Sequence, residues 1–257
     1  MTTAHDIERS LYDWAPRSLA SEWDNVGLLV GDPAQEVKKI LVALDITQEV
    51  AEEAVESGAQ MLVSHHPVMN CAWHEVQTLR ADDALGRLLR YLVRHDLAAC
   101  CMHTNLDAAD GGVNDCLARA LGLSGLSMLN EEKIGRVGTL SREIPLEEFL
   151  PAVVKSLRCT GLRFRDGGRR VHRVAVGGGA CREYIPQAIA LGCDTFVTAD
   201  LRYNDFLDTR GLNLIDAGHF PTENVVCEAL RAYLAKAFPQ LEVVCSASHH
   251  DAIQYYL

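Results

Sequence analysis

Met61-Leu-Val-Ser-His-His-Pro67 is a short apolar run that ends on two adjacent imidazoles and a proline. The run reads as a buried strand, and Pro67 marks its exit from the sheet, because proline restricts the residue before it and cannot continue a central strand. Neighbouring side chains of a strand point to opposite faces, so His65 and His66 can converge only where the strand has ended. Upstream, Lys39-Ile-Leu-Val-Ala-Leu-Asp45 is a second buried run. Between the two, 47–57 has the pattern of a helix, with Thr47 as N-cap, Glu49 at the positive end of the helix dipole and Gly58 closing it. Strand, helix, strand in this order builds parallel sheets, and the expected fold class is α/β.

Working outward, 5–14 is a helix with Ile7, Leu11 and Trp14 on one face, stopped by Pro16. Trp23-Asp-Asn-Val-Gly-Leu-Leu-Val-Gly31 is a turn and a short strand, in which packing is the ordinary use of Trp23. After a loop holding Trp73 and His74, 81–95 is an amphipathic helix, and an apolar strand over 97–102 runs into His103-Thr-Asn-Leu-Asp107. A helix over 113–121 follows the turn at Asp110-Gly-Gly112. Few periodic runs occur over 124–140, where the chain crosses into a second half. There, 146–157 is helical and the four arginines of 163–170 read as a solvated basic turn.

From Val171 the earlier order returns. A strand ends at Gly177-Gly-Gly179, and a helix over 182–191 is closed by Gly192. Thr195-Phe-Val-Thr198 and Leu212-Asn-Leu-Ile-Asp216 are strands, separated by a helical turn over 205–210. The second leads to Gly218-His-Phe-Pro-Thr-Glu223, where Pro221 and Thr222 open a helix over 223–238 and leave His219 in the loop before it. The halves align as a weak repeat, 42–66 against 174–200, with Gly58 facing Gly192 and Ser64 facing Thr198. His103-x-x-x-Asp107 likewise answers His219-x-x-x-Glu223. Two similar α/β domains are expected, 1–125 and 126–239, with 240–257 packed on the first. A metal site is expected in the cleft between them, since open α/β sheets bind ligands beyond the carboxyl ends of their strands.

The 257 residues carry a net charge of −11, which argues against nucleic acid or an anionic membrane surface as main partner and suits a protein that concentrates cations. The N-terminus has no basic region followed by an apolar core, and no apolar run approaches the ~20 residues of a membrane span, so a cytoplasmic location is expected. Nine cysteines without a Cys-x-x-Cys pair indicate neither a disulfide framework nor a thiolate zinc site.

The candidate metal ligands are His65, His66, Asp107, His219 and Glu223, all placed just past strand ends. One catalytic zinc with an open position takes about three protein ligands. Five suit two ions sharing a carboxylate, for which Glu223 is the candidate, and a water. His103 is either a sixth ligand or a residue orienting Asp107. Mixed imidazole and carboxylate ligation suits Zn, Fe or Mn better than Mg or Ca.

At these residues the chain resembles a known family, the dinuclear-metal-centre proteins called GTP cyclohydrolase I type 2 homologues, of the Nif-three-like group. The resemblance is carried by Trp23-Asp-Asn-Val-Gly-Leu, Val42-Ala-Leu-Asp-Ile-Thr, Ser64-His-His-Pro, His103-Thr-Asn-Leu-Asp, Gly111-Gly-Val-Asn-Asp and Gly218-His-Phe-Pro-Thr-Glu, in this order. It implies two α/β domains, two divalent ions held by His65, His66, Asp107, His219 and Glu223, and a toroidal homohexamer built from trimers. Two positions depart from the family pattern: Ala199 stands where glycine is usual, and Asn204 where a histidine is common. Both are expected to line the cleft without holding the ions.

Three functions compete. A metal-dependent hydrolase would use two ions to activate a bridging water, against a purine nucleotide as the cyclohydrolase name implies, or against a phosphoester. A metal-delivery protein, or a regulatory partner, would bind the same ions without turnover. A general acid or base outside the ligand set separates the first from the others, and His103, His74, His249 and His250 are the candidates for that role.

Overall fold

Thr3 and Asp6 open the first helix, α1 (Ala4–Trp14), by each accepting a hydrogen bond from the other's backbone N–H, which satisfies two amides near the helix start. The computed structural model describes residues 1–256 and divides into two units. The first comprises 1–110 with 226–250, the second 111–225 with the residues from Asp251 on.

In the first unit α1 is followed by β1 (Gly27–Val30), β2 (Lys39–Ala43), α2 (Gln48–Glu56), β3 (Met61–Ser64), α3 (Ala84–Arg94), β4 (Ala98–Cys101) and the short α4 (Thr104–Ala108). Strands β2, β3 and β4 are parallel, and their ends are level: Ala43 pairs with Ser64, and Ser64 with Cys101. Every residue of β3 and β4 is buried, which is why both read as continuous apolar runs without alternation. Val50 and Ala54 of α2 and Leu88 and Leu92 of α3 pack on Leu41, Leu62 and Ala99. Each such leucine or valine contributes about 1.5–3 kcal/mol by leaving water.

The second unit runs through α5 (Val113–Ala120), β5 (Ser124–Met128), β6 (Arg136–Ile144), α6 (Leu146–Leu157), β7 (Arg163–Arg165), β8 (Val171–Val176), α7 (Ile185–Ala190), β9 (Thr195–Thr198), α8 (Tyr203–Asp208), β10 (Asn213–Asp216) and α9 (His219–Glu223). Its sheet has the order β5-β6-β8-β9-β10-β7, with β8, β9 and β10 parallel. Two segments differ from expectation. The stretch 124–140 holds a strand pair; β5 is mostly exposed and therefore carries no apolar signature. The arginines of 163–170 do not all lie in a turn: Arg163–Arg165 is an edge strand antiparallel to β10, and Arg163 pairs with Asp216.

The chain then returns to the first unit through α10 (Val225–Ala237) and β11 (Glu242–Cys245). β11 lies parallel to β2 and completes the order β1-β4-β3-β2-β11. The units thus part company with the expected domains at three places, one being that the residues from Asp251 on group with the second unit and not, as expected of 240–257, with the first. α5, placed in the first domain by the sequence, belongs to the second because its Leu117 and Ala118 join the core of Val174 and Val197. Its Asp115 also takes a 3.0 Å hydrogen bond from the buried Arg136 of β6. Nearly all of α10, placed in the second domain, belongs to the first, where Tyr233 stacks on Trp14 with ring centroids 4.7 Å apart.

The repeat is visible in detail. Gly58 and Gly192 both sit at φ 72° after their helices. Ala59 N–H bonds Ala54 O at 2.8 Å, and Cys193 N–H bonds Ala188 O at 3.0 Å. All nine cysteines are free. Among the described residues no helix is long and apolar enough to cross a membrane.

Candidate metal centre

The first unit gathers four of the expected site residues where its parallel strands end. His65 and His66 follow Ser64, whose hydroxyl donates to His66 O at 2.8 Å and so fixes the turn out of β3. His103 follows β4, and Asp107 lies one turn along α4. His65 Nδ1 is 2.8 Å from Met102 O, His66 Nδ1 is 2.6 Å from Asp45 Oδ1, and His103 Nδ1 is 2.9 Å from both Asp24 oxygens. A carbonyl and two carboxylates can only accept, so in each ring Nδ1 carries the proton and Nε2 keeps the lone pair. The three imidazoles each offer a ligand atom within 4.8 Å of the others. His65 Nε2 also lies 3.7 Å from Asp107 Oδ1.

Asp24 shows how strongly this arrangement is built in. Its side chain is fully buried, and burial alone would raise its pKa. Hydrogen bonds from His103, from Thr104 N–H at 3.0 Å and from the Thr104 hydroxyl at 2.5 Å instead bring it down to about 2. Asp45 is shared, with its other oxygen 3.1 Å from His249 Nε2. Burial, opposed by Asp45, lowers the His249 pKa, and its Nε2 accepts from the Asp45 N–H at 2.8 Å.

The second unit holds the other two expected residues. The helix expected over 223–238 is broken at Asn224: His219 opens α9 and Glu223 ends it, so His219 is helical and not in a preceding loop. Gly218 precedes this turn at φ 89°, and the Thr222 hydroxyl donates to Gly218 O at 2.9 Å. The i, i+4 spacing brings His219 Nε2 to 3.0 Å from Glu223 Oε2. His219 Nδ1 is 2.6 Å from Asp200 Oδ2. Burial would lower the His219 pKa, but Glu223 and Asp200 together raise it to about 11.

Gly177-Gly-Gly179, which read as no more than a tight turn, is the cradle of Glu223. A Cβ at Gly178 would stand 3.3 Å from Glu223 Cγ, and one at Gly179 only 2.2 Å from Glu223 Oε1. Asp24, Asp45 and Asp200 are not singled out by the sequence as holding the site, although Asp24 and Asp45 stand in motifs quoted above. Asp45 and Asp200 also lie just past the carboxyl ends of β2 and β9, the position that marked the histidines. Ala199 is fully buried, with its N–H on Gly179 O at 2.9 Å, so the departure from glycine leaves Asp200 in place on His219.

A donor set of imidazole nitrogens and carboxylates, each histidine oriented through its other nitrogen by an oxygen, fits a transition-metal ion or zinc. Each unit carries such a partial set: His65, His66, His103 and Asp107 in the first, His219 and Glu223 in the second.

Comparison with known proteins agrees in extent. A sequence profile of Duf34/NIF3 (NGG1p interacting factor 3) matches residues 2–252. A Clostridium perfringens protein named GTP cyclohydrolase 1 type 2 homolog is 36% identical over 228 residues, covering 85% of this chain and 86% of its own. A Streptomyces coelicolor protein of the same name is 37% identical over 237 residues, covering 85% and 81%. The crystal structure of Staphylococcus aureus protein SA1388 superposes with a TM-score of 0.92 at 31% identity, over 99% of both chains.

Proposed function

The chain belongs to the Duf34/NIF3 family, and from that premise we propose that it binds two divalent metal ions and uses them in hydrolysis. In this reading His65, His66 and Asp107 of the first unit and His219 and Glu223 of the second would hold the ions, with Glu223 the candidate shared carboxylate and His103 a candidate sixth ligand. The observation that carries it is the trio His65, His66 and His103, whose Nδ1 atoms are all committed to oxygen acceptors while their ligand atoms lie together. That grouping supports the alternative in which His103 is a sixth ligand over the one in which it orients Asp107. Zn, Fe and Mn are the ions such a set suits.

When bound, a pair of divalent ions supplies Lewis acidity and lowers the pKa of water towards neutrality. The chain's own residues provide the rest. Met102 O, Asp45 and Asp24 hold three rings in one tautomer, and Asp200 does the same for His219. The carboxylates of Asp107 and Glu223 offset the charge of the ions. The name shared by the relatives points to a purine nucleotide as substrate, and a phosphoester is the alternative on the same metals.

One observation favours the second reading, a metal-binding or metal-delivery protein without turnover. His249, a candidate acid or base, is occupied at Nε2, which accepts from the Asp45 backbone N–H at 2.8 Å. Anaerobic purification, elemental analysis and a screen of nucleotides and phosphoesters decide between the two. A reproducible content of one ion at saturation removes the dinuclear reading; two ions with no turnover on any substrate favour delivery. The ring-shaped homohexamer implied by the family resemblance is tested by light scattering, where a monomer at micromolar concentration overturns it.

A further inference from the structure

Two indoles stand beside the histidine trio, and neither is buried. Trp23 is 54% exposed and Trp73 50% exposed, although a tryptophan in a folded chain contributes most when its ring is covered. Their centroids are 6.3 Å apart at 60°, which makes an open aromatic corner. The Trp73 ring is 5.4 Å from His103 and 6.2 Å from His66, and Trp23 is 5.9 Å from His103.

Neither ring sits on a loose loop. Trp73 is on a turn closed by Asn70 N–H to His74 O at 2.5 Å and His74 N–H to Cys71 O at 3.2 Å, with Cys71 buried beneath. The Asn70 side chain accepts from Val76 N–H at 3.2 Å. Trp23 is followed by Asp24, the residue that fixes His103, and by Asn25, whose Nδ2 donates to Met69 O at 2.9 Å. The segment carrying Trp23 is therefore tied both to the site and to the loop carrying Trp73. Fixed, half-exposed aromatic faces are what a stacking platform requires, and such faces accept any flat ring of matching size.

We propose that Trp23 and Trp73 form a recognition wall for a planar heteroaromatic ring of nucleobase type, stacked beside His66 and His103. The inference rests on the metal-site reading for what the ring is brought to, but not for binding itself. The net charge of −11 disfavours a polyanionic strand as the carrier and points to a small molecule. Packing explains Trp14, stacked on Tyr233, but it does not explain two adjacent indoles left half open at a cluster of ligand atoms.

Isothermal titration calorimetry of the full chain with guanosine monophosphate and adenosine monophosphate tests this, with ribose phosphate as the ring-free control. The nucleotides are expected to bind and ribose phosphate not to. Trp73→Ala and Trp23→Ala should each weaken binding about tenfold or more, and Trp73→Phe should retain most of it. Metal content, measured on the same samples, should be that of the parent in all three variants. Absence of nucleotide binding by metal-loaded parent protein, or undiminished binding by both alanine variants, overturns the wall. So does a smaller particle in light scattering for the alanine variants of a chain that binds no nucleotide, because the indoles would then be covered by a second copy. Ring binding by a chain that takes up no metal would overturn the metal reading and leave the wall standing.

Discussion

Gly179 and Glu223 share a space that admits no side chain on Gly179: a Cβ there would lie 2.2 Å from Glu223 Oε1 and 3.1 Å from His219 Cε1. Gly179 also sits at φ 62°, where an L-residue is strained by about 1–2 kcal/mol. Gly179→Ala should lower the melting temperature modestly and displace the Glu223 carboxylate. Elemental analysis should then show reduced metal content in a folded chain. Full occupancy would mean that Glu223 is not held by this turn.

Glu223→Gln keeps the shape of the side chain and removes its charge. Two unit charges 4 Å apart repel by about 4 kcal/mol at an effective dielectric of 20, and divalent ions repel more strongly. The variant should lose at least one ion while the fold persists. Asp107→Asn should affect mainly the ion that Asp107 would hold in the proposed pair. If Glu223 serves only the fold, metal content stays at the parent value.

Asp24→Asn replaces an acceptor-only group by one that can also present an N–H to His103. The ring is then free to turn or to change tautomer. Loss of such a support typically weakens metal binding by about ten- to a hundredfold. A chelator competition titration measures it, and an unchanged affinity would remove His103 from the ligand set.

Most of the fold could be read from residues. The buried parallel strands β2, β3, β8, β9 and β10 announce themselves as apolar runs, and Gly58 and Gly192 mark the helix ends. β5 could not be read in the same way, because four of its five residues are exposed. The assignment of α5 to the second unit depends on Arg136 reaching Asp115 across 21 residues, which no local pattern encodes. The candidate ligands stand out in the sequence because they follow strand ends; Asp45 and Asp200 do so too, but their part is visible only through which histidine nitrogen each one faces, as is that of Asp24. The break at Asn224 was hidden for another reason: Pro221 is as acceptable within the first turn of α9 as at the start of one longer helix.

Glu53 supplies a pH-dependent clasp on the segment that leads into His249. Its carboxylate accepts from Ala247 N–H at 2.9 Å, from Ser248 N–H at 3.0 Å and from the hydroxyls of Ser246 and Ser248. Burial would raise its pKa, but these bonds lower it to about 2. A depressed carboxylate stabilises the fold fully above the ordinary glutamate value near 4.5, and that contribution is lost as pH falls towards about 2. Glu53→Gln should therefore cost about 1–2 kcal/mol at neutral pH and much less near pH 2. Melting curves of both proteins across this range check it; a difference independent of pH would show that the charge is irrelevant.

The pairing of β11 with β2 sets an order of assembly during synthesis. Every strand of the second sheet lies between residues 124 and 216, so the ribosome has delivered all of them before the first sheet can be finished. Until 242–245 emerges, β2 presents an unpaired edge, the kind of surface that recruits wrong partners. The earliest-made part of the chain is thus the last to close, and a growing polypeptide stalled before β11 is where a chaperone would be needed most.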